Sequence, residues 1–181
     1  LTTTNTGDEA FDYEEALHAY LVVGDVHRAR VEGLARAPYV DKVTATERVL
    51  TGDLTFTDET DAVFRSSGPV TLHDPALGRR LVVSTEGARN IVVWNPWAAK
   101  AKEVPDIGDD DWERFVCIEG ANAHSYGKAA AVGENGELEH AAAILHPKMG
   151  APVRKVLSKG AALIPSSKKR SGPGTTLDIP L

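Results

Sequence analysis

Cysteine is almost missing: the 181 residues contain one, Cys117. A single thiol closes no intramolecular disulfide and builds no cysteine zinc cage. This usage suits a reducing cytosol, the expected location. Long hydrophobic runs are missing as well. None approaches the roughly 20 apolar residues that a membrane-crossing helix needs, so no membrane partner is expected. Residues 1–7 lack the basic segment and apolar stretch of a secretory signal. They also lack an opening Met, and a chain that begins at Leu1 inside an apparent strand and turn reads as a fragment. No His-x-His or His-x-x-x-His pair occurs, which leaves a metal site without support despite six His and 26 acidic residues. Glycine-rich phosphate loops and nucleophile elbows are also absent.

What remains is the composition of a globular protein, 42% apolar and 25% charged, at a length that suits one domain with a short appendage. Charge is uneven along it. Residues 1–123 carry 22 Asp and Glu against 12 Lys and Arg, whereas residues 124–181 carry 4 against 8. An acidic body argues against nucleic acid as a partner. The scattered basic charges of the tail read as a solvated segment. Aromatics follow the same division: every Trp and Phe lies before residue 124, and the tail has only Tyr126.

The body reads as short strands separated by turn signals, the pattern of an all-β sandwich or barrel. Residues 15–23 are apolar and partly alternating up to Gly24-Asp25. Residues 26–31 alternate up to Glu32-Gly33. Residues 49–56 are broken by Gly52-Asp53, and 61–65 stop at Ser66-Ser67-Gly68-Pro69. Residues 70–72 and 80–84 flank an Asp-Pro-Ala-Leu-Gly turn. Residues 91–94 form a continuous apolar run ended by Asn95-Pro96. The acidic stretch 106–111 is a loop, 111–113 suit a helical turn, and 114–119 read as a further strand. In the tail, residues 137–145 are helix-compatible by propensity, and 166–176 have the Ser, Lys, Gly and Pro content of a disordered segment.

Two strands place an ionisable group among apolar neighbours: Glu15-Ala-Leu-His18-Ala-Tyr20 and Phe115-Val-Cys117-Ile-Glu119-Gly-Ala-Asn122. Burying a charge is costly, so such a group needs a partner or a function. The plainer alternatives are a satisfied core histidine and a strand-end glutamate facing water. Side chains two apart on a strand share a face. Phe115, Cys117 and Glu119 therefore point one way, and Ala16, His18 and Tyr20 share another face. Cys117 is expected as a small buried apolar residue. Trp94 and Trp97 are expected to serve packing, Arg65 to sit on the surface, and Asp109-Asp110-Asp111 to be a solvated loop.

These motifs, in this order, resemble the C-terminal half of the hexose-6-phosphate mutarotases (glucose-6-phosphate 1-epimerases) of the aldose-1-epimerase-like superfamily. The resemblance rests on Glu15-Ala-Leu-His18-Ala-Tyr20, on Phe56-Thr-Asp-Glu-Thr-Asp61-Ala-Val-Phe64, on Val92-Val-Trp94-Asn95-Pro96-Trp97-Ala-Ala-Lys100 and on Arg114-Phe-Val-Cys117-Ile-Glu119-Gly-Ala-Asn122. The connectors Val31-Glu-Gly-Leu34, Tyr39-Val-Asp41-Lys42 and Leu72-His-Asp-Pro-Ala-Leu-Gly78-Arg79 fit it too. It implies an antiparallel β-sandwich of the galactose-mutarotase-like supersandwich type over residues 1–123. That sandwich would be incomplete and followed by an irregular or partly helical tail at 124–181. It implies His18 and Glu119 as catalytic residues, with Asp61 and Asn95 contacting the sugar.

The implied reaction interconverts the α and β anomers of hexose 6-phosphates such as glucose 6-phosphate. Glu119 takes the proton of the C1 hydroxyl and His18 donates one to the ring oxygen. Such chemistry requires no metal or organic cofactor. The implied partner is a small sugar phosphate, and the complete protein would be monomeric. Two departures stand beside this. The half that by resemblance supplies basic residues for the 6-phosphate is absent, and residues 124–181 match nothing in the family, as an extension or a shifted reading frame would. Rival readings are an epimerase of free aldoses, a non-catalytic carbohydrate-binding sandwich, and an inactive fragment.

Overall fold

The alternating segments form short antiparallel strands in a computed structural model that describes residues 14–123 in full. Beyond these it describes the backbone of strand segments at 2–5, 137–139, 144–147, 161–164 and 175–178. In chain order the strands of the body are β2 (Glu14–Leu17), β3 (Tyr20–Val22), β4 (Arg30–Glu32), β5 (Pro38–Asp41), β6 (Thr46–Val49), β7 (Leu54–Thr55), β8 (Thr60–Phe64), β9 (Val70–Asp74), β10 (Arg79–Ser84), β11 (Asn90–Asn95) and β12 (Phe115–Asn122). Before them lies β1 (Thr2–Asn5), and after them β13 (Glu137–Glu139), β14 (Ile144–Pro147), β15 (Ala161–Ile164) and β16 (Thr175–Asp178).

The largest sheet runs β15-β2-β12-β11-β8-β5-β6, with β3 also paired to β12. A second sheet runs β14-β10-β9-β4-β7, and a third joins β13, β1 and β16. Strand alternation decides what each face carries. From the large sheet Leu21, Ala62, Phe64, Ile91, Val93, Val116 and Ile118 pack in one core with Val31, Val70, Leu72 and Val83 of the second sheet. This is the face-to-face layering of a β-sandwich. The opposite face of the large sheet takes the intervening residues: Asp61 and Val63, Val92 and Trp94, Cys117, Glu119 and Ala121. Asp61 on β8 and Glu119 on β12 therefore stand on the back of a packed sheet rather than on loops.

Three segments differ from the sequence reading. Residues 26–31 are not one strand. Asp25 Oδ1 accepts a hydrogen bond from the His27 amide at 3.0 Å, and Val26–Arg28 become a 3-10 turn before β4 begins. A side-chain cap offers the backbone a local alternative to the ladder. Residues 15–23 are interrupted at His18 and Ala19, between β2 and β3. Within 137–145, where propensity suggests helix, the described residues are the extended strands β13 and the start of β14. The segment 166–176 lies outside the described residues except where β16 begins at Thr175.

One buried carboxylate ties distant turns to the second sheet. Asp74 is fully buried and accepts from the amides of Gly24 and Leu77, each at 3.2 Å, and from Arg79 Nε at 3.1 Å. The turn it caps, Pro75–Leu77, ends on Gly78 at φ 62, a left-handed position where a Cβ is unfavourable.

Phe64 is fully buried and stacks on Tyr39 with ring centroids 4.7 Å apart. It anchors β8, the strand that also presents Asp61. We expect Phe64→Ala to lower stability by about 3–5 kcal/mol, the usual range for emptying a buried aromatic site. Denaturant unfolding should show this as a lower midpoint with an unchanged slope. A loss below about 1 kcal/mol would mean that the two sheets are not held together at this position.

Candidate active site

The ladder that brings β12 against β3 and β2 keeps a single register across the interruption. Phe115 lies opposite Val22 and Cys117 opposite Tyr20 on β3; Ala121 lies opposite Ala16 and Asn122 opposite Glu15 on β2. The rung between them, carried by no assigned strand on one side, sets His18 opposite Glu119. Directly opposed residues on antiparallel strands have Cβ atoms about 4.5–5.5 Å apart. The side chains meet accordingly: His18 Nε2 is 3.3 Å from Glu119 Oε1.

The same registers extend the site across the sheet. Glu119 lies opposite Val92, Val92 opposite Val63, and Val63 opposite Val40. One row along, Cys117 lies opposite Trp94, and Trp94 opposite Asp61. Lys42 follows β5, donates its amide to the Asp61 carbonyl at 2.8 Å, and places Nζ 3.6 Å from Asp61 Oδ2. The result is a carboxylate and an imidazole on one row, with a thiol, an indole, a second carboxylate and an ammonium on the next.

Aromatic rings hold the imidazole. His18 stacks on Tyr20 at 4.8 Å between centroids and meets the edge of Trp94 at 5.5 Å. Its Nδ1 is buried without a hydrogen-bond partner among the described residues. The Glu119 side chain is 5% exposed against 31% for His18, so the carboxylate forms the floor and the imidazole the rim. Behind Glu119 the backbone packs tightly: a Cβ on Gly120 would come within 2.8 Å of Thr85 Cγ2.

Burial controls the protonation of this group. Loss of solvent, with the negative charge of Asp61 added, pushes the Glu119 carboxyl up from 4.5 to about 8, against a smaller opposing effect of Lys42. Desolvation lowers the pKa of His18, and the charge of Asp61 only partly offsets it. Desolvation also raises that of Asp61, while its neighbour Lys42 pulls it back. Near neutrality the neutral imidazole and the neutral carboxyl are both favoured.

The structure therefore brings His18, Glu119 and Asp61 onto one face. It does not bring Asn95 there. Asn95 follows Trp94 on β11, so it points to the opposite side, into the core, and is fully buried. Its Nδ2 donates to the carbonyls of Trp112 at 2.8 Å and Phe115 at 2.9 Å, and its Oδ1 accepts from the Trp97 amide at 2.9 Å. The side chain of Asn95 pins the segment before β12 and points away from the face that carries Asp61. Trp97 serves packing as expected, with its ring 4.5 Å from that of Trp112. Trp94, Tyr20 and Lys42 went unassigned to the site. Their signal was parity: each shares a face with Asp61, Cys117 or His18 once the strands are placed in register. Opposed rungs draw His18 and Glu119 into direct contact.

Among the described residues no helix is long and apolar enough to cross a membrane. Compared with known proteins, residues 79–181 match the family described as Amino acid synthesis. That match starts at β10 and runs across the compositional boundary near residue 123 to the end of the chain. A candidate glucose-6-phosphate 1-epimerase of Cenchrus ciliaris is 37% identical over 124 residues, 67% of this chain and 38% of that protein. One from Escherichia coli is 40% identical over 116 residues, 62% of this chain and 39% of that one. The crystal structure of a candidate mutarotase from Salmonella typhimurium superposes with a TM-score of 0.58 at 37% identity, covering 62% of this chain and 39% of that one. The chain thus spans about two fifths of the length of the curated relatives it matches. The antiparallel sandwich and the ordered motifs agree with these likenesses. The described body is similar to these candidate epimerases and mutarotases, and through residues 79–181 the chain belongs to the Amino acid synthesis family.

Proposed function

We propose that this chain carries the acid/base site of an enzyme that interconverts the α and β anomers of a hexose 6-phosphate through the open-chain aldehyde. The observation that carries the reading is the contact of His18 with Glu119, at 3.3 Å on an apolar sheet face, with Asp61 and Trp94 on the adjoining row. Ring opening moves one proton off the C1 hydroxyl and one onto the ring oxygen, so the catalytic pair needs a base, an acid and no net change in its own protons. With the Glu119 carboxyl raised to about 8 and the pKa of His18 lowered, the pair holds one proton near neutrality, resting on the carboxyl. Passing that proton to the imidazole leaves Glu119 as the base for the C1 hydroxyl and His18 as the acid for the ring oxygen. Closure after rotation about C1–C2 reverses the roles.

Seating a sugar requires His18 to turn outward from Glu119. Its imidazole is partly exposed at the rim, beside the interruption of the strand at residues 18 and 19. Asp61 would accept hydrogen bonds from sugar hydroxyls as a charged acceptor, and Trp94 would offer an apolar face to the ring. Neither binding nor structure alone needs a matched acid and base, which favours catalysis over a non-catalytic sugar-binding role. The family match over residues 79–181 favours a second reading for the C-terminal part, a role in amino acid synthesis. Saturation-transfer NMR on the full chain separates the two: transfer to glucose 6-phosphate supports the first, and transfer only to amino acid precursors supports the second.

Magnetisation-exchange NMR between the anomers tests the reaction itself. We expect the chain to accelerate exchange of glucose 6-phosphate more than that of glucose. Glu119→Gln and His18→Asn should each slow it by on the order of a hundredfold, the usual contribution of one positioned proton-transfer group. Equal rates on both sugars would favour an epimerase of free aldoses, and unchanged rates in both variants would remove the assignment. The rate should also fall as pH rises through about 8, where the pair loses its last proton.

The raised carboxyl has a consequence for stability. The native state holds a proton on Glu119 up to about 8, whereas the unfolded chain releases it near 4.5. Between these values the native state binds more protons, so rising pH removes stability progressively, with the full loss above about 8. Glu119→Gln removes the titration while keeping the shape. We expect the Tm of the variant to gain on that of the unaltered chain as pH rises from 5 to 9. A difference that stays constant across this range would mean that the carboxyl is not raised.

A further inference from the structure

The proposed mechanism leaves one neighbour of the catalytic pair unused. Cys117 precedes Glu119 by two residues on β12 and so lies on the same face. An imidazole nitrogen of His18, the Sγ of Cys117 and a carboxylate oxygen of Glu119 all lie within 4.8 Å of one another. The grouping is fixed by the rungs that join β12 to β3 and β2, not by loops. Around tetrahedral zinc, with bonds of about 2.0–2.3 Å, ligand atoms stand roughly 3.3–3.8 Å apart. His18 and Glu119 already stand at 3.3 Å. With its Sγ within 4.8 Å of both, the thiol needs to close by at most about 1.5 Å to complete three corners of that tetrahedron. Imidazole, thiolate and carboxylate together suit a borderline-soft ion and discriminate against magnesium and calcium, which prefer oxygen alone. Cys117 and Glu119 are buried, while the partly exposed His18 gives access from the rim, where a fourth position would open. A search by spacing misses this set because Cys117 and Glu119 stand on β12 while His18 comes from the distant break between β2 and β3.

We propose that His18, Cys117 and Glu119 form a three-ligand site for a divalent cation of the zinc class, whose binding withdraws both members of the acid/base pair from proton transfer. The withdrawal rests on the catalytic reading above; the binding does not. Binding changes no oxidation state. The thiol and the carboxyl give their protons to solvent, and the ion accepts lone pairs from sulfur, nitrogen and oxygen.

Cadmium chloride titrated into the full chain tests the site. Cys117 is the sole cysteine, so a sulfur-to-cadmium charge-transfer band in the ultraviolet reports on this residue alone. We expect the band to saturate at one ion per chain, to vanish in Cys117→Ser, and to be displaced by zinc but not by magnesium. Glu119→Gln and His18→Asn, checked for fold by circular dichroism, should each weaken binding by tenfold or more. Absence of the band in the unaltered chain overturns the proposal, as does a band of unchanged affinity in both variants, which would mark a thiol acting alone. If cadmium binds as expected while anomer exchange is unaffected by it, the metal site stands and the acid/base assignment falls.

Discussion

The register between β12 and the strand pair β2 and β3 is the constraint on which the site depends. A shift by one residue would turn Glu119 into the core and bring Ile118 to the outer face, since side chains alternate with a period of two. The register is held on both sides of the interruption, by Cys117 opposite Tyr20 and by Ala121 opposite Ala16. It is held again across the sheet by the core residues Val116 and Ile118, both fully buried. The hydrophobic pattern that packs the sandwich thus also fixes which groups meet on its back. The break at His18 and Ala19 is tolerated because the rungs above and below it already align the two strands.

That arrangement carries a thermodynamic burden. A carboxylate on a mostly apolar face loses hydration, and the protein responds by keeping it protonated to well above the usual carboxylate range. Asp61 adds to the effect, while Lys42 opposes it and steadies Asp61 itself. The row of Lys42, Asp61 and Trp94 therefore does two things at once: it sets the electrostatic background of Glu119 and forms the polar border of the face. The stability needed to hold such a group comes from the other side of the sheet, where Phe64, Ile91, Val93 and Ile118 are buried against the second sheet.

Much of this was legible in the sequence, for reasons that can be named residue by residue. Strands β8 to β12 announce themselves by short alternating or continuous apolar runs with turn residues at their ends, and His18 and Glu119 by being ionisable among apolar neighbours. The 3-10 turn at Val26–Arg28 was hidden because an alternating run looks the same whether or not Asp25 caps it. The direction of Asn95 was hidden for a different reason. Its motif was recognised as a unit, whereas alternation along β11 sends Trp94 and Asn95 to opposite faces. The closeness of His18 and Glu119, and the arrival of Cys117 beside them, depend on pairing between strands far apart in the chain. Nothing local encodes that register, so spacing could name the residues and not their distances.

The two likenesses of the chain divide the site in sequence but not in space. Glu119, Cys117 and Trp94 lie within residues 79–181, the stretch matched by the Amino acid synthesis family, whereas His18 and Asp61 lie before it. Two pairings of the site join one part to the other: Glu119 meets His18, and Trp94 meets Asp61. A chemistry that needs an acid and a base together cannot belong to either stretch alone. Strands β10 to β12 taken by themselves present a buried carboxyl with no partner, a costly group with no use. With β2, β3 and β8 beside them, the same carboxyl has an imidazole in contact with it and a second carboxylate that raises its proton affinity. The arrangement of the face is therefore a property of the assembled sheet.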